Sequence, residues 1–116
     1  RIELPYLPPK ELSPNSRLHW SKKQSAKEQV RNDVMALVKE QGWQGLPLER
    51  AVVRFAWGMP DKRRRDPDNL LASCKIHIDT LHRAGVLADD SWQNVQIQLE
   101  CFDSPKKPLT IIEVTP

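Results

Sequence analysis

Alternation of apolar and polar positions predicts a short strand at the start of the chain. Ile2, Leu4 and Tyr6 recur at every second position of residues 2–7, and a period of two is typical of a strand. Pro5 has no N–H to donate to a neighbouring strand, so we expect an edge position or a short strand. Residues 8–19 are rich in Pro, Asn and Ser and predict a loop.

A longer period predicts an amphipathic helix over residues 21–41. Its apolar residues recur at helical spacing, at Ala26, Val30, Val34, Leu37 and Val38. The Ser-Lys-Lys-Gln run at 21–24 has the form of a capping box, and Gly42 supplies a stop signal. We expect residues 42–50 to form a turn region.

The second half of the chain predicts three strands and one more helix. Residues 51–57 are rich in Val, Phe and Trp and predict a strand that ends before residues 58–60, with Trp57 in the core. Asp66 as the N-cap and Pro67 at the first helical position open a helix that closes at Gly85; it has roughly 18 residues and a length of about 27 Å. Residues 95–101 alternate without interruption, which favours an antiparallel strand with one buried face. Residues 109–114 predict the last strand.

The order β-α-β-α-β-β predicts an α+β fold, with two helices on one face of a small mixed sheet. A chain of 116 residues suits a single domain over residues 1–116. No stretch approaches the roughly 18 apolar residues of a membrane span, and the start shows no basic-then-apolar secretion signal. We therefore expect a cytoplasmic protein with no membrane partner.

The net charge of +3, from 18 Lys and Arg against 15 Asp and Glu, hides a local concentration of charge. Lys62, Arg63, Arg64 and Arg65 are consecutive, and we call them the basic block. Asp66-Pro67-Asp68 follows at once, and Asp89 and Asp90 lie beyond the far end of the predicted helix.

Carboxylates beside a basic block suit phosphodiester hydrolysis. Mg²⁺ takes one or two protein carboxylates and keeps several waters. It stabilises charge on phosphate oxygens and lowers the pKa of an attacking water, while basic side chains bind the nucleic-acid backbone. The alternative is structural: an Asp at a helix start is often only a cap, and an Arg run is usually a solvated face.

Two further metal readings fail on spacing. An EF-hand loop beginning at Asp66 would need Gly at position 71 and Glu at position 77, where the chain has Leu71 and His77. The three histidines, His19, His77 and His82, show no metal-ligand spacing. At about 1.5 Å per residue, the predicted helix is about 27 Å long. The acidic pairs at its two ends therefore share a site only if the loop after the helix doubles back or a second chain contributes.

Lys75 is a separate candidate. On one continuous helix Asp68, Lys75 and Asp79 fall within roughly 40° of one stripe, which points Lys75 towards Asp68 and a bound phosphate or leaving group. The alternative is an ordinary Lys75–Asp79 pair at i,i+4, and both readings stay open.

The run from Pro60 to Leu70, with its basic block and Asp66-Pro67-Asp68-Asn69, resembles the signature of the RusA family of Holliday junction resolvases. The stretch from Asp79 to Ser91, with Gly85 and the Asp89-Asp90 pair, is similar to a second motif of that family. The proline-rich N-terminal loop is a weaker match. The two motifs occur in the family's order, and the resemblance covers nearly the whole chain.

The resemblance implies a homodimer that cuts four-way junction DNA with Mg²⁺. Carried over, Asp66, Asp68 and Asp90 are metal-binding catalytic carboxylates, and Asp89 is a secondary metal candidate. Lys62, Arg63, Arg64 and Arg65 would contact DNA. A two-fold dimer supplies two equivalent sites, which suits paired cuts on opposite strands. A bacterial, phage-derived gene also fits this resemblance.

Two departures from the family pattern keep other functions open. The family has a Lys three residues after the Asn, where this chain has Ala72, and the nearest Lys is Lys75, six residues after Asn69. Pro67 also separates the two aspartates. The alternatives are a nuclease-inactive module that binds branched DNA, a less selective flap or branched-DNA nuclease, and a structural protein whose acids are caps.

Overall fold

The computed structural model describes residues 1–43 and 47–116. Its strands are β1 (Ile2–Leu4), β2 (Ala51–Met59), β3 (Val95–Asp103) and β4 (Leu109–Thr115). Its α-helices are α1 (Trp20–Gln41), α2 (Pro67–Ser73) and α3 (Lys75–Arg83), and a 3₁₀ turn covers Lys10–Leu12. The predicted α+β class and element order are confirmed, with the second predicted helix divided into two. Part of the turn region expected over residues 42–50 lies outside the described residues.

The four strands form one mixed sheet in the order β1-β4-β2-β3. β4 is antiparallel to both of its neighbours, and β2 pairs with β3 in parallel. The antiparallel pairing expected for β3 is therefore wrong. The helices α2 and α3 carry the chain back across the sheet after β2, and such a crossover delivers the next strand in the same direction.

Prolines and glycines set several element ends as their chemistry predicts. β1 ends before Pro5 and is a three-residue edge strand. α1 ends at Gly42, which has φ +71°, a conformation that glycine adopts without a Cβ clash. β2, however, does not end at Gly58: it continues to Met59, and a Cβ at Gly58 would lie 2.8 Å from the Ser104 Cβ. The missing side chain leaves room for the side chains of Ser104, Phe102 and Leu109.

The core lies between the helices and one face of the sheet. Its fully buried side chains include one stripe of α1 and alternate positions of β2: Val30, Val34, Val38, Val53, Phe55 and Trp57. The spacing of four residues on α1 and of two on β2 explains why these side chains share one interior. The expected core position of Trp57 is confirmed.

The long helix expected from Asp66 to Arg83 is broken at Cys74. Cys74 has φ −94° and ψ 11°, and its N–H donates to the Leu71 carbonyl at 2.9 Å, which closes a three-residue turn. On α3, His77 is fully buried while Ile78 is half-buried. The helical spacing of Leu70, Cys74, Ile78 and Leu81 thus persists across the break, since three of these residues are buried and Ile78 packs against the core.

Among the described helices, none combines the length and apolar character that crossing a membrane requires.

Candidate active site and nucleic-acid interface

Asp66 and Asp68 lie where the sequence predicts, at the start of α2. Asp66 takes the N-cap position with φ −95° and ψ 126°, and Pro67 follows in the first turn. The Asp66 side chain makes no capping hydrogen bond, although an N-cap Asp commonly bonds the N–H two or three residues on. The carboxylate is half-buried and that of Asp68 is exposed. The helix start therefore leaves both acids open to another ligand.

The basic block lies in the loop between the end of β2 and the start of α2. The Arg64 Nε lies 3.3 Å from the Asp66 Oδ1, and 89% of the Arg64 side chain is exposed. The Lys62 Nζ lies 3.3 Å from Asp103 at the end of β3, and 88% of its side chain is exposed. Exposed ion pairs of this kind contribute little to stability, so both cations remain available to a phosphate.

Arg65 shapes the loop instead. Its Nη1 donates to the Asp61 Oδ1 at 2.8 Å, and only 18% of its side chain is exposed. The Arg63 N–H donates to the same carboxylate at 2.9 Å. The hydrogen bond from Arg65, followed by that from Arg63, holds the pKa of the Asp61 carboxyl below its usual range. Among the four cations, Arg65 is thus the least available to a ligand.

The second acidic region lies at the other end of α3. Asp89 and Asp90 are exposed and follow the turn at Gly85, which has φ +80°. The Asp90 N–H donates to the Asp89 Oδ1 at 2.8 Å. A bridge between Leu48 and Leu87 fixes the start of this loop, and β3 begins five residues after Asp90.

His82 joins this acidic pair. One ligand atom of each of His82, Asp89 and Asp90 lies within 4.8 Å of the others, and all three residues are exposed. The spacing among the three histidines does not reveal this group. The usable signal is Gly85, because a left-handed residue after a helix turns the following residues back towards its last turn.

One protomer does not bring the three predicted catalytic carboxylates together. Over residues 1–43 and 47–116 no second group of three His, Cys, Asp or Glu meets the same distance, so Asp66 and Asp68 do not join Asp90. Asp66 and Asp68 nevertheless offer the hard oxygen donors that Mg²⁺ prefers, in the number that it takes. The donor chemistry fits Mg²⁺, and the identity of the ion stays a prediction.

Lys75 begins α3, beyond the break from α2. Asp68 therefore belongs to a different helix, and the stripe that one continuous helix predicts for the two residues stays a prediction. The Lys75 Nζ lies 3.5 Å from the Asp79 Oδ2, and 81% of its side chain is exposed. The ordinary i,i+4 pair is thus present, and the catalytic role of Lys75 stays a prediction.

Comparison with known proteins adds one relative without a functional name. Over 81 residues the chain is 36% identical to an uncharacterised protein of Xylella fastidiosa (strain Temecula1 / ATCC 700964), an alignment covering 67% of this chain and 52% of that protein. The chain thus spans about half the length of the curated relative that it matches. No protein-family model matches the chain.

Proposed function

We propose that the chain is a Mg²⁺-dependent endonuclease that resolves four-way DNA junctions by paired, symmetric cuts. The observation that carries the proposal is the start of α2, where two carboxylates that cap nothing stand directly beside exposed cations. The similarity of residues 60–91 to the two RusA motifs supports the same reading.

In this proposal the acidic and the basic side chains have different roles. Asp66 and Asp68 would hold the ion, whose chemistry when bound is to polarise the phosphate and lower the pKa of a bound water. Lys62, Arg63 and Arg64 would bind backbone phosphates next to the cut, which fixes the position of the strand without reading its sequence. Because most of this affinity is electrostatic, junction shape has to supply the preference for branched DNA.

The exposed face of β3 supports a homodimer. Ile97 and Leu99 are each 40% exposed, although their neighbours on β2, Val53 and Phe55, are fully buried on the same face of the sheet. β3 is also an edge strand whose outer backbone groups have no partner among the described strands. Apolar side chains on an open edge favour pairing with another strand, and a second copy supplies one.

Such a dimer would also complete the metal site. In one protomer the basic block lies at the C-terminal end of β3, through the Lys62–Asp103 pair, and Asp90 precedes its N-terminal end. Nine residues of strand span about 30 Å. If two β3 strands pair antiparallel about a two-fold axis, each Asp90 approaches the end of the partner's β3 that contacts the partner's Lys62, four residues before the partner's Asp66. We propose that each site takes Asp66 and Asp68 from one subunit and Asp90 from the other.

The test is cleavage of a labelled four-way junction by the purified protein, with Mg²⁺ and with EDTA. We expect paired nicks at symmetric positions that depend on the metal. Asp68→Asn should abolish cleavage and keep junction binding, whereas Glu40→Gln, which removes an exposed carboxylate from the far end of α1, should leave cleavage unchanged. A wild type that binds the junction and never cuts it contradicts the proposal.

The same assay separates the alternatives. The position of Lys75 on a different helix from Asp68 favours, as the second candidate, a module that binds branched DNA without cutting it. That module predicts junction binding in EDTA and no cleavage with any divalent metal. A less selective nuclease predicts equal cleavage of a four-way junction and a linear duplex in competition.

A further inference from the structure

Two neighbouring grooves run across the helical side of the molecule. The first groove is bounded by Arg64, Asp66 and Asn69 and by the N-terminal loop, and so contains part of the candidate metal site. The second groove is bounded by the same loop, by the first turns of α1 and by the start of α3. Ser13 and Ser73 line both grooves, so the two grooves are adjacent.

The second groove carries concentrated positive charge. Lys23, Lys27 and Lys75 line it, against the single carboxylate of Glu11. Lys23 and Lys27 are four residues apart on α1 and therefore share one face. The Lys23 Nζ donates to the Ser16 carbonyl at 3.0 Å, which holds its ammonium beside the loop without neutralising it.

The remaining walls suit a phosphate backbone better than bases. Ser13, Ala72 and Ser73 present small side chains, and none of the lining residues that the structure describes in either groove is aromatic. Base recognition in single strands uses aromatic stacking, whereas lysines act on phosphates as point charges. The groove therefore favours sequence-independent contact with a DNA backbone.

We propose that the second groove guides the substrate strand away from the candidate metal site. Lys23, Lys27 and Lys75 would each bind a phosphate of that strand. This inference rests on the proposed function and deepens it, because it assigns the strand a path that neither motif marks. It also gives Lys75 a positioning role in the groove next to Asp66.

The test measures binding without catalysis. Fluorescence anisotropy gives the affinity for a labelled four-way junction over a range of salt concentrations in EDTA. Each phosphate contact contributes about 0.9 to the slope of log affinity against log salt. We expect Lys23→Gln and Lys27→Gln each to lower that slope by about 0.9 and the double variant by about 1.8, while Lys39→Gln, at the far end of the same helix, keeps the wild-type slope.

The outcomes distinguish this inference from the proposed function. A wild type that binds and cuts junctions, with the same salt slope in both groove variants as in Lys39→Gln, overturns the groove assignment alone. A wild type that does not bind junction DNA overturns both. Circular dichroism of each variant checks that the loss of slope does not come from unfolding.

Discussion

The Lys62 ammonium lies 3.3 Å from the Asp103 carboxylate and ties the basic block to the C-terminal end of β3. Asp90 precedes the opposite end of the same strand, so Lys62 and Asp90 lie towards opposite ends of β3. The composite site proposed above therefore predicts complementation between inactive subunits. Asp68→Asn and Asp90→Asn should each be inactive, but their heterodimer contains one site with both native aspartates.

We expect the mixed, co-refolded variants to regain nicking of one strand without the paired cut, measured on a labelled junction. The matched control mixes Asp68→Asn with Asp66→Asn. Both changes remove a ligand from the part of the site that one subunit supplies through Asp66 and Asp68. Neither site of the heterodimer is then intact, and activity should stay absent. No recovery in the first mixture would mean that the acids do not combine across subunits.

The exposed apolar residues of β3, Ile97 and Leu99, predict the oligomeric state. Leu99→Lys places a charge on the exposed face that we assign to the dimer, and we expect a monomer that remains folded, because Leu99 is already 40% exposed. Gln98→Lys adds the same charge on the opposite face of the strand and should stay dimeric. Sedimentation velocity reads the mass directly, and a dimeric Leu99→Lys variant would contradict the assignment.

Lys75 distinguishes a catalytic from a positioning role. If it only holds a phosphate in the second groove, Lys75→Gln should raise KM and lower the salt slope, with kcat within a few-fold of the wild type. Removal of a group that acts in the transition state instead lowers kcat, typically by 10²-fold or more for an acid–base group. Steady-state cleavage kinetics in Mg²⁺ separate these two results.

Gly58 is expected to be sensitive to a single added methyl group. A Cβ there would meet the Ser104 Cβ at 2.8 Å, the Phe102 Cζ at 3.1 Å and the Leu109 Cβ at 3.2 Å. Overpacking of this kind costs roughly 1–3 kcal/mol, so Gly58→Ala should lower the free energy of unfolding by about that amount in urea titration. Unchanged stability would show that the β3–β4 turn shifts freely.

Local chemistry made several features predictable from the sequence. Pro5 shortens β1 because it cannot donate to the sheet, and Gly42 ends α1 because it adopts a left-handed conformation. Asp66 takes the N-cap position and Pro67 follows it because both residue types suit a helix start. These signals depend on one or two residues, so they survive without knowledge of the tertiary structure.

Features that depend on distant partners were not predictable in the same way. The alternation of β3 shows a strand but does not give the direction of its partner, and here the crossover through α2 and α3 decides for parallel pairing. The break at Cys74 places Asp68 and Lys75 on different helices, and no glycine or proline stands at that position to signal it. The group of His82, Asp89 and Asp90 depends on the turn at Gly85, which spacing between histidines does not reveal.

His77 makes the stability of the fold depend on pH. Its side chain is fully buried in a T-shaped arrangement with Phe55, with ring centroids 6.4 Å apart, and neither ring nitrogen has a hydrogen-bond partner among the described residues. Burial lowers the pKa of His77 to about 4 from its ordinary value of 6.5. Between these two values the unfolded chain binds more protons than the folded chain, so stability falls as the pH falls through this window.

We expect about 3 kcal/mol of stability to be lost between pH 7 and pH 4 through this residue, from roughly 1.4 kcal/mol for each pKa unit. His77→Leu replaces the ring with an apolar side chain of similar size and should remove that part of the pH dependence, at little cost at pH 7. Urea unfolding at pH 7, 5.5 and 4 measures both proteins. The carboxylates are common to the two, so their contribution cancels in the difference. Parallel losses in wild type and variant would show that His77 is not the group responsible.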